Sequence, residues 1–235
     1  MAALEDILQR HPVWRGESPA GSRPDALSSG YPALDRELPG GGWPAGALTE
    51  IVGARRGIGE LQLLLPALAA LTSAGKRVVW LAPPYLPYPP ALAAAGIDLA
   101  QLALVRAPGR RDALWAAEQA LRAGSCHALL AWLRHARFAD LRRLAVAAEA
   151  SRAFVALFRP QEAAGEPSPA CLRLALEPAG EALAVRIFKR RGAPLAAAVR
   201  VPVKRPVHAL GRSAFPQPAS RDAGTDRRLG LPLHA

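Results

Sequence analysis

Short apolar runs alternate with helix-length segments from ALTEIVG, residues 47–53, to AFVALFR, residues 153–159. A chain patterned this way has few folding options. Parallel strands need long crossovers, and a helix in each crossover covers a face of the sheet. KRVVWLA (76–82), LALVRA (102–107) and HALLAWL (127–133) supply further strands. DALWAAEQALRAG (112–124) places Leu114, Ala117, Ala120 and Leu121 on one helical face and stops at Gly124. FADLRRLAVAAEAS (138–151) reads as another helix, and ALAAAGI (91–97) as a short one. In ELQLLLPALAAL (60–71) Pro66 should kink or shorten the helix. The fold class expected is α/β, a mostly parallel sheet flanked by helices.

The flanks read differently. Residues 4–14 have Leu4, Ile7 and Leu8 at helical spacing, giving an N-terminal helix over 1–14, and 15–26 read as a linker. Ser29 is placed to cap a short helix over 31–38, and GGGWPAG (40–46) reads as a loop. Past Arg159, CLRLALEP and ALAVRIFKRR alternate with period two across AGE, an antiparallel hairpin, and AAAVRVPV adds a strand. The chain therefore divides into a core over 27–159, a hairpin extension over 160–203 and a basic tail over 204–235 expected to be disordered.

The 30 Lys and Arg outnumber the 19 Asp and Glu, a formal charge of +11 that favours a polyanionic partner, nucleic acid or acidic protein. Two cysteines without CxxC spacing exclude a disulfide framework or zinc ribbon. No apolar run reaches the roughly 20 residues of a membrane span, so a soluble, cytoplasmic protein is expected. The five histidines are scattered and none pairs with Cys, Asp or Glu at ligand spacing, so no metal is expected. Ser125 and Cys126 lack a paired base, and Trp80, Trp115 and Trp132 read as core.

VGARRGIGE, residues 52–60, stands where a strand–glycine loop–helix phosphate cradle would stand. A working loop reads GxxxxGK[ST]. Gly53 holds the first position, but Ile58 takes the second glycine, Gly59 the lysine and Glu60 the hydroxyl residue. Ile58 is β-branched and resists positive φ, so Gly57 and Gly59 must remake the turn. Arg55 and Arg56 keep the loop cationic. Two readings of Glu60 follow: its carboxylate folds back onto the loop amides in the phosphate's place, or it points to solvent in the first helical turn.

SSGYPALDREL, GGGWPAG, LTEIVG and the altered loop, in this order, resemble the start of a RecA-type core. KRVVWLA is similar to its second strand and HALLAWL to the strand that ends in a Walker B aspartate. With SGYPALD, the lost lysine and FKRRG (188–192), the chain looks most like the ImuA family, small RecA-like proteins related to the SulA division inhibitors. The resemblance implies a scaffold in SOS-induced, error-prone translesion synthesis. Implied partners are a Y-family polymerase-like protein of ImuB type, an error-prone C-family polymerase, RecA and single-stranded DNA. By the same resemblance the Walker B aspartate falls at Trp132 and the general-base glutamate near Pro83. With three parts lost, ATPase activity and a nucleotide cofactor are not expected. The alternative is a SulA-like inhibitor of the tubulin-like division protein.

Three further candidates lie outside the loop. Phe188, Lys189, Arg190 and Arg191 join an aromatic to a basic cluster, which suits single-stranded DNA or a charged sheet edge equally. RHARFADLRR (134–143) reads as helix-face charge. RLGLPL, with Leu229, Leu231 and Leu233, resembles peptides that dock on the bacterial sliding clamp, with Arg228 where they carry glutamine, and reads also as a plain apolar tail. The N-terminal helix fits both homo-oligomer packing and cover for its own core.

Overall fold

The computed structural model describes residues 25–53, 57–192, 195 and 197–203. The N-terminal helix expected over 4–14 and the tail with Leu229, Leu231 and Leu233 lie outside them. The described chain runs β1 (Ala26–Leu27), α1 (Pro32–Asp35), β2 (Trp43–Pro44), β3 (Ala47–Gly53), α2 (Leu65–Ser73), β4 (Val78–Leu81), α3 (Pro89–Ala94) and β5 (Leu102–Val105). It continues through α4 (Arg110–Arg122), β6 (Ala128–Trp132), α5 (Phe138–Ser151), β7 (Phe154–Pro160), β8 (Leu172–Ala179), β9 (Ala182–Lys189) and β10 (Val199–Pro202).

Eight strands form one mixed sheet in the order β10-β9-β8-β3-β7-β6-β4-β5. From β5 to β8 the neighbours are parallel, and β9 and β10 close the edge antiparallel. The expected α/β class and mostly parallel sheet are what is observed. The hairpin is also present, and it joins the same sheet: β8 lies parallel beside β3. β3 thus becomes an interior strand.

The two sheet faces are filled by alternating residues. In β7, Phe154, Ala156 and Phe158 face one apolar cluster, with Leu63, Leu64, Leu68 and Trp80. Val155 and Leu157 face the other, with Leu114, Leu121, Leu141 and Leu144 from α4 and α5. Period two in the strands and a single apolar stripe on each helix produce this division.

Four local expectations change. α2 starts only at Leu65, with turns over the preceding residues and Pro66 in its first turn, where the missing N–H costs nothing. GGGWPAG is more than a loop: Trp43 pairs with Leu27, is fully buried and stacks on Phe154 at 5.7 Å. Ser29 does not cap α1, whose N-cap is Tyr31; its hydroxyl instead accepts the Tyr31 N–H at 3.1 Å. Asp35 closes this segment, accepting from Ser28 Oγ at 2.7 Å and from the Ser29 N–H at 2.8 Å. Trp115 is 65% exposed, because it lies on the outer face of α4, away from Leu114 and Ala117. Trp80 is buried, and Trp132 packs against the core.

Candidate functional site

The altered loop leaves the C-terminal end of β3 at Gly53, beside the ends of β7 and β8. In open α/β sheets this is where ligands sit. Arg55 and Arg56 lie outside the described residues. Gly57 and Gly59 have φ of +75° and +103°, so they do remake the turn around Ile58. Ile58 packs against the core, and a Cβ on Gly59 would stand 3.4 Å from Val203 Cγ2. The loop therefore leans on the residue just past β10.

Glu60 turns back. Its Oε1 accepts the Gly57 N–H at 3.0 Å, while Oε2 is buried without a partner. Of the two readings of this side chain, the geometry matches the inward one, with one loop amide engaged. A carboxylate about 4 Å from an incoming phosphate would cost roughly 1–4 kcal/mol per unit charge.

A cleft of about 360 Å³ opens beside the loop, with Glu60, Arg134, Arg159 and Glu162 among the residues that line it. Trp132 stands where the resemblance puts the Walker B aspartate. It stacks on Phe158 at 4.6 Å, 10° from parallel, and meets Trp80 edge-on at 6.0 Å. An aromatic wall occupies this position. Pro83, in the general-base position, offers no carboxylate. Among the described residues no cluster of His, Cys, Asp or Glu could hold a metal ion.

Beneath the cleft lies a feature the sequence reading missed. Glu50, in the middle of β3, is fully buried between two arginines. Arg173 Nε on β8 donates to its Oε2 at 2.6 Å, and Arg159 Nη1 on β7 donates to Oε1 at 3.3 Å. Arg159 also donates to Glu166 at 2.8 Å and to the Ala136 carbonyl at 3.1 Å. Arg173 donates to the Ala163 carbonyl at 2.7 Å. The signal was an acid inside the apolar run LTEIV, which only makes sense if a cation stands opposite.

The basic cluster of β9 is brought together but partly engaged. The Arg173 guanidinium lies over the Phe188 ring at 4.9 Å. Lys189 Nζ donates to the Ser168 carbonyl at 2.8 Å, and Arg190 pairs with Glu37 at 3.2 Å. Arg191 is exposed. On α4 and α5, Arg143 pairs with Glu118 at 2.8 Å and Arg110 with Asp140 at 2.7 Å, while Arg134 reaches the cleft. Of the stretch 134–143, Arg142 and Arg143 lie on α5, Arg137 is its N-cap and Arg134 precedes it.

Both cysteines are free thiols. Burial pushes the Cys126 thiol up from 9.0 to about 11. Burial also raises Cys171, with Arg191 and Lys189 pulling the other way. Neither is a poised nucleophile. No helix among the described residues is long and apolar enough to cross a membrane.

Comparison with known proteins points in two related directions. The family model for cell division inhibitor SulA matches residues 46–155, the stretch from β3 into β7. The SulA protein of Edwardsiella piscicida is 33% identical over 100 residues, 43% of this chain and 60% of that protein. The RecA protein of Borreliella burgdorferi (strain ZS7) is 33% identical over 109 residues, 46% of this chain and 30% of RecA. The chain thus spans 60% of the length of that SulA and 30% of that RecA. The crystal structure of SulA from Pseudomonas aeruginosa aligns with 27% identity and a TM-score of 0.43, covering 50% of this chain and 99% of that one. The chain is related in sequence to SulA and RecA, and none of these matches singles out ImuA.

Proposed function

We propose that this chain is a SulA-related protein of the DNA-damage response that acts by binding another protein, without hydrolysing nucleotide. The observation that carries the reading is the overlap of two facts on one segment. Residues 46–155 match the SulA family, and within them the segment that resembles a phosphate loop carries Gly59 where that loop has lysine, with Glu60 accepting the Gly57 N–H. In this reading the partner is the tubulin-like division protein, and binding blocks division after DNA damage.

A second reading has its own support. The chain's sheet continues past the SulA-matched stretch through β8, β9 and β10, and these strands share the main core. That continuation contains the FKRRG segment that led to the ImuA resemblance. In this second reading the same domain is a scaffold for a Y-family polymerase-like protein in translesion synthesis.

One experiment separates them. The chain is overexpressed in, or its gene deleted from, its native host, and cell length and damage-induced mutation frequency are both measured. Filamentation with unchanged mutagenesis supports the division inhibitor; loss of induced mutation on deletion, without a change in cell length, supports the polymerase scaffold. Calorimetric titration with MgATP should give no heat of binding. Micromolar affinity would defeat the reading in which Glu60 fills the phosphate's place, and release of phosphate from MgATP would defeat the non-catalytic reading.

A further inference from the structure

The segment PPYLPYPP, residues 83–90, follows the end of β4, in the place where the resemblance puts the lost general base. Its three large side chains face solvent: Tyr85 is 70% exposed, Leu86 69% and Tyr88 70%. Folding gains nothing from leaving such groups in water, and a contiguous exposed apolar patch marks an interaction surface. The backbone is held in place from both ends. Ala82, at the base, has φ of +50° and donates its N–H to the Val105 carbonyl at 2.8 Å. A non-glycine residue in the left-handed region costs about 1–2 kcal/mol, which surrounding structure must offset. At the other end Pro89 and Pro90 open α3, and Pro83, Pro84 and Pro87 fix φ between.

A groove runs beside the loop, and Leu86, Leu104, Arg106 and Pro108 help line it. Its single charged lining residue is Arg106, and no carboxylate lines it. Arg106 is exposed and makes no ion pair among the described residues. We propose that the Tyr85–Tyr88 loop and this groove form a protein-docking surface, and that its occupant is a partner face with an apolar hollow and a carboxylate placed to meet Arg106. Rigid tyrosines give large contact area at low entropic cost, and prolines have already removed the loop's freedom. Arg106 supplies charge complementarity and steers an acidic partner. Two aliphatic leucines and one cation in the groove fit a protein better than single-stranded DNA, which needs a cationic track.

This inference rests on the protein-binding reading above. It is tested on the full chain by surface plasmon resonance against three probes: the tubulin-like division protein, the Y-family polymerase-like protein and an oligo-dT strand. Tyr85→Ala/Leu86→Ala/Tyr88→Ala should weaken the protein complex by about 30-fold or more. Arg106→Glu should lower its association rate by about tenfold at low salt, with the difference shrinking as salt rises. All four positions are exposed, and an unchanged thermal melt confirms that the variants fold. Wild-type binding that the triple variant leaves intact overturns the docking surface while sparing the functional reading. Binding of neither protein by the wild type overturns both. Loss of oligo-dT binding alone in the triple variant makes the loop a nucleic-acid platform and overturns the protein assignment.

Discussion

Glu50 has both carboxylate oxygens engaged by arginines from the two neighbouring strands, at zero exposure. Removing the acid leaves two guanidinium groups in the core with one counter-charge, Glu166, at the edge. Glu50→Leu should therefore destabilise the protein by about 3–5 kcal/mol in urea melts. Glu50→Leu combined with Arg159→Met and Arg173→Leu should cost less than Glu50→Leu alone, because the stranded charges go too. A triple variant worse than the single would show that the arginines are held mainly by the Ala136 and Ala163 carbonyls. Cys126 gives a prediction with a sign. Its folded thiol titrates near 11 against an ordinary 9.0, so between those values the unfolded chain loses a proton that the folded chain keeps. Stability is unaffected by this group below pH 9 and falls as pH rises towards 11, by about 2–3 kcal/mol at about 1.4 kcal/mol per pH unit. Urea midpoints at pH 8 and pH 10.5 measure it, and the pH dependence should be shallower in Cys126→Ala. At this scale the sequence spoke unevenly. The absence of a lysine from residues 52–60 was plain in the sequence, since it depends on residue type alone. The Glu50 triad was not, since it depends on which strands lie side by side.

The SSGYPALD segment shows what an element can ask of one residue. Gly30 sits at φ +81°, and a Cβ there would stand 2.4 Å from Pro66 Cβ. The turn closed by Asp35 is thereby pressed against the start of α2, and the Tyr31 hydroxyl donates to the Gln62 carbonyl at 3.0 Å. Gly30→Ala meets both a conformational penalty of about 1–2 kcal/mol and an overlap of about 1–3 kcal/mol. Gly180, in the β8–β9 turn at φ +66°, has open space around it, so Gly180→Ala meets only the first. Thermal melts should show Gly30→Ala clearly below Gly180→Ala. Equal losses would mean that Pro66 yields and the contact is soft. The strands and helices were readable because period two and the helical stripe are local properties. The β1–β2 pairing was not: it is two residues long, and Trp43 looked like loop because glycines and a proline surround it. Pro66 was expected to kink or shorten the helix; the helix is shorter, but Pro66 opens it, which appears only when the preceding turns are seen.

Over the whole molecule the decisive arrangement is the position of β3. A reader of the sequence expects the hairpin after Arg159 to be an appendage, since period two there contrasts with the α/β core before it. Folded, β8 covers the open side of β3, and Leu172, Leu174, Leu176, Leu183, Val185, Ile187, Val201 and Val203 are all buried. At about 1.5–3 kcal/mol for each buried aliphatic side chain, these eight together rival the roughly 5–15 kcal/mol by which a domain is stable. The hairpin also supplies Arg173, without which Glu50 lacks one of its two partners, and Val203 supports the altered loop at Gly59. The stretch similar to SulA ends at residue 155, so in this chain that stretch lacks one side of its own sheet. A chain ended after Pro160 should show no cooperative melt and should aggregate through the exposed edge of β3. A chain ended after Val203 keeps every strand of the sheet and should melt cooperatively, close to the full-length protein. Calorimetry on the two truncations decides the matter. A sharp transition in the shorter chain would mean that residues up to 160 fold as an independent SulA-sized unit. The strands beyond would then be an added surface, and partner binding by the shorter chain alone would assign the function to that unit.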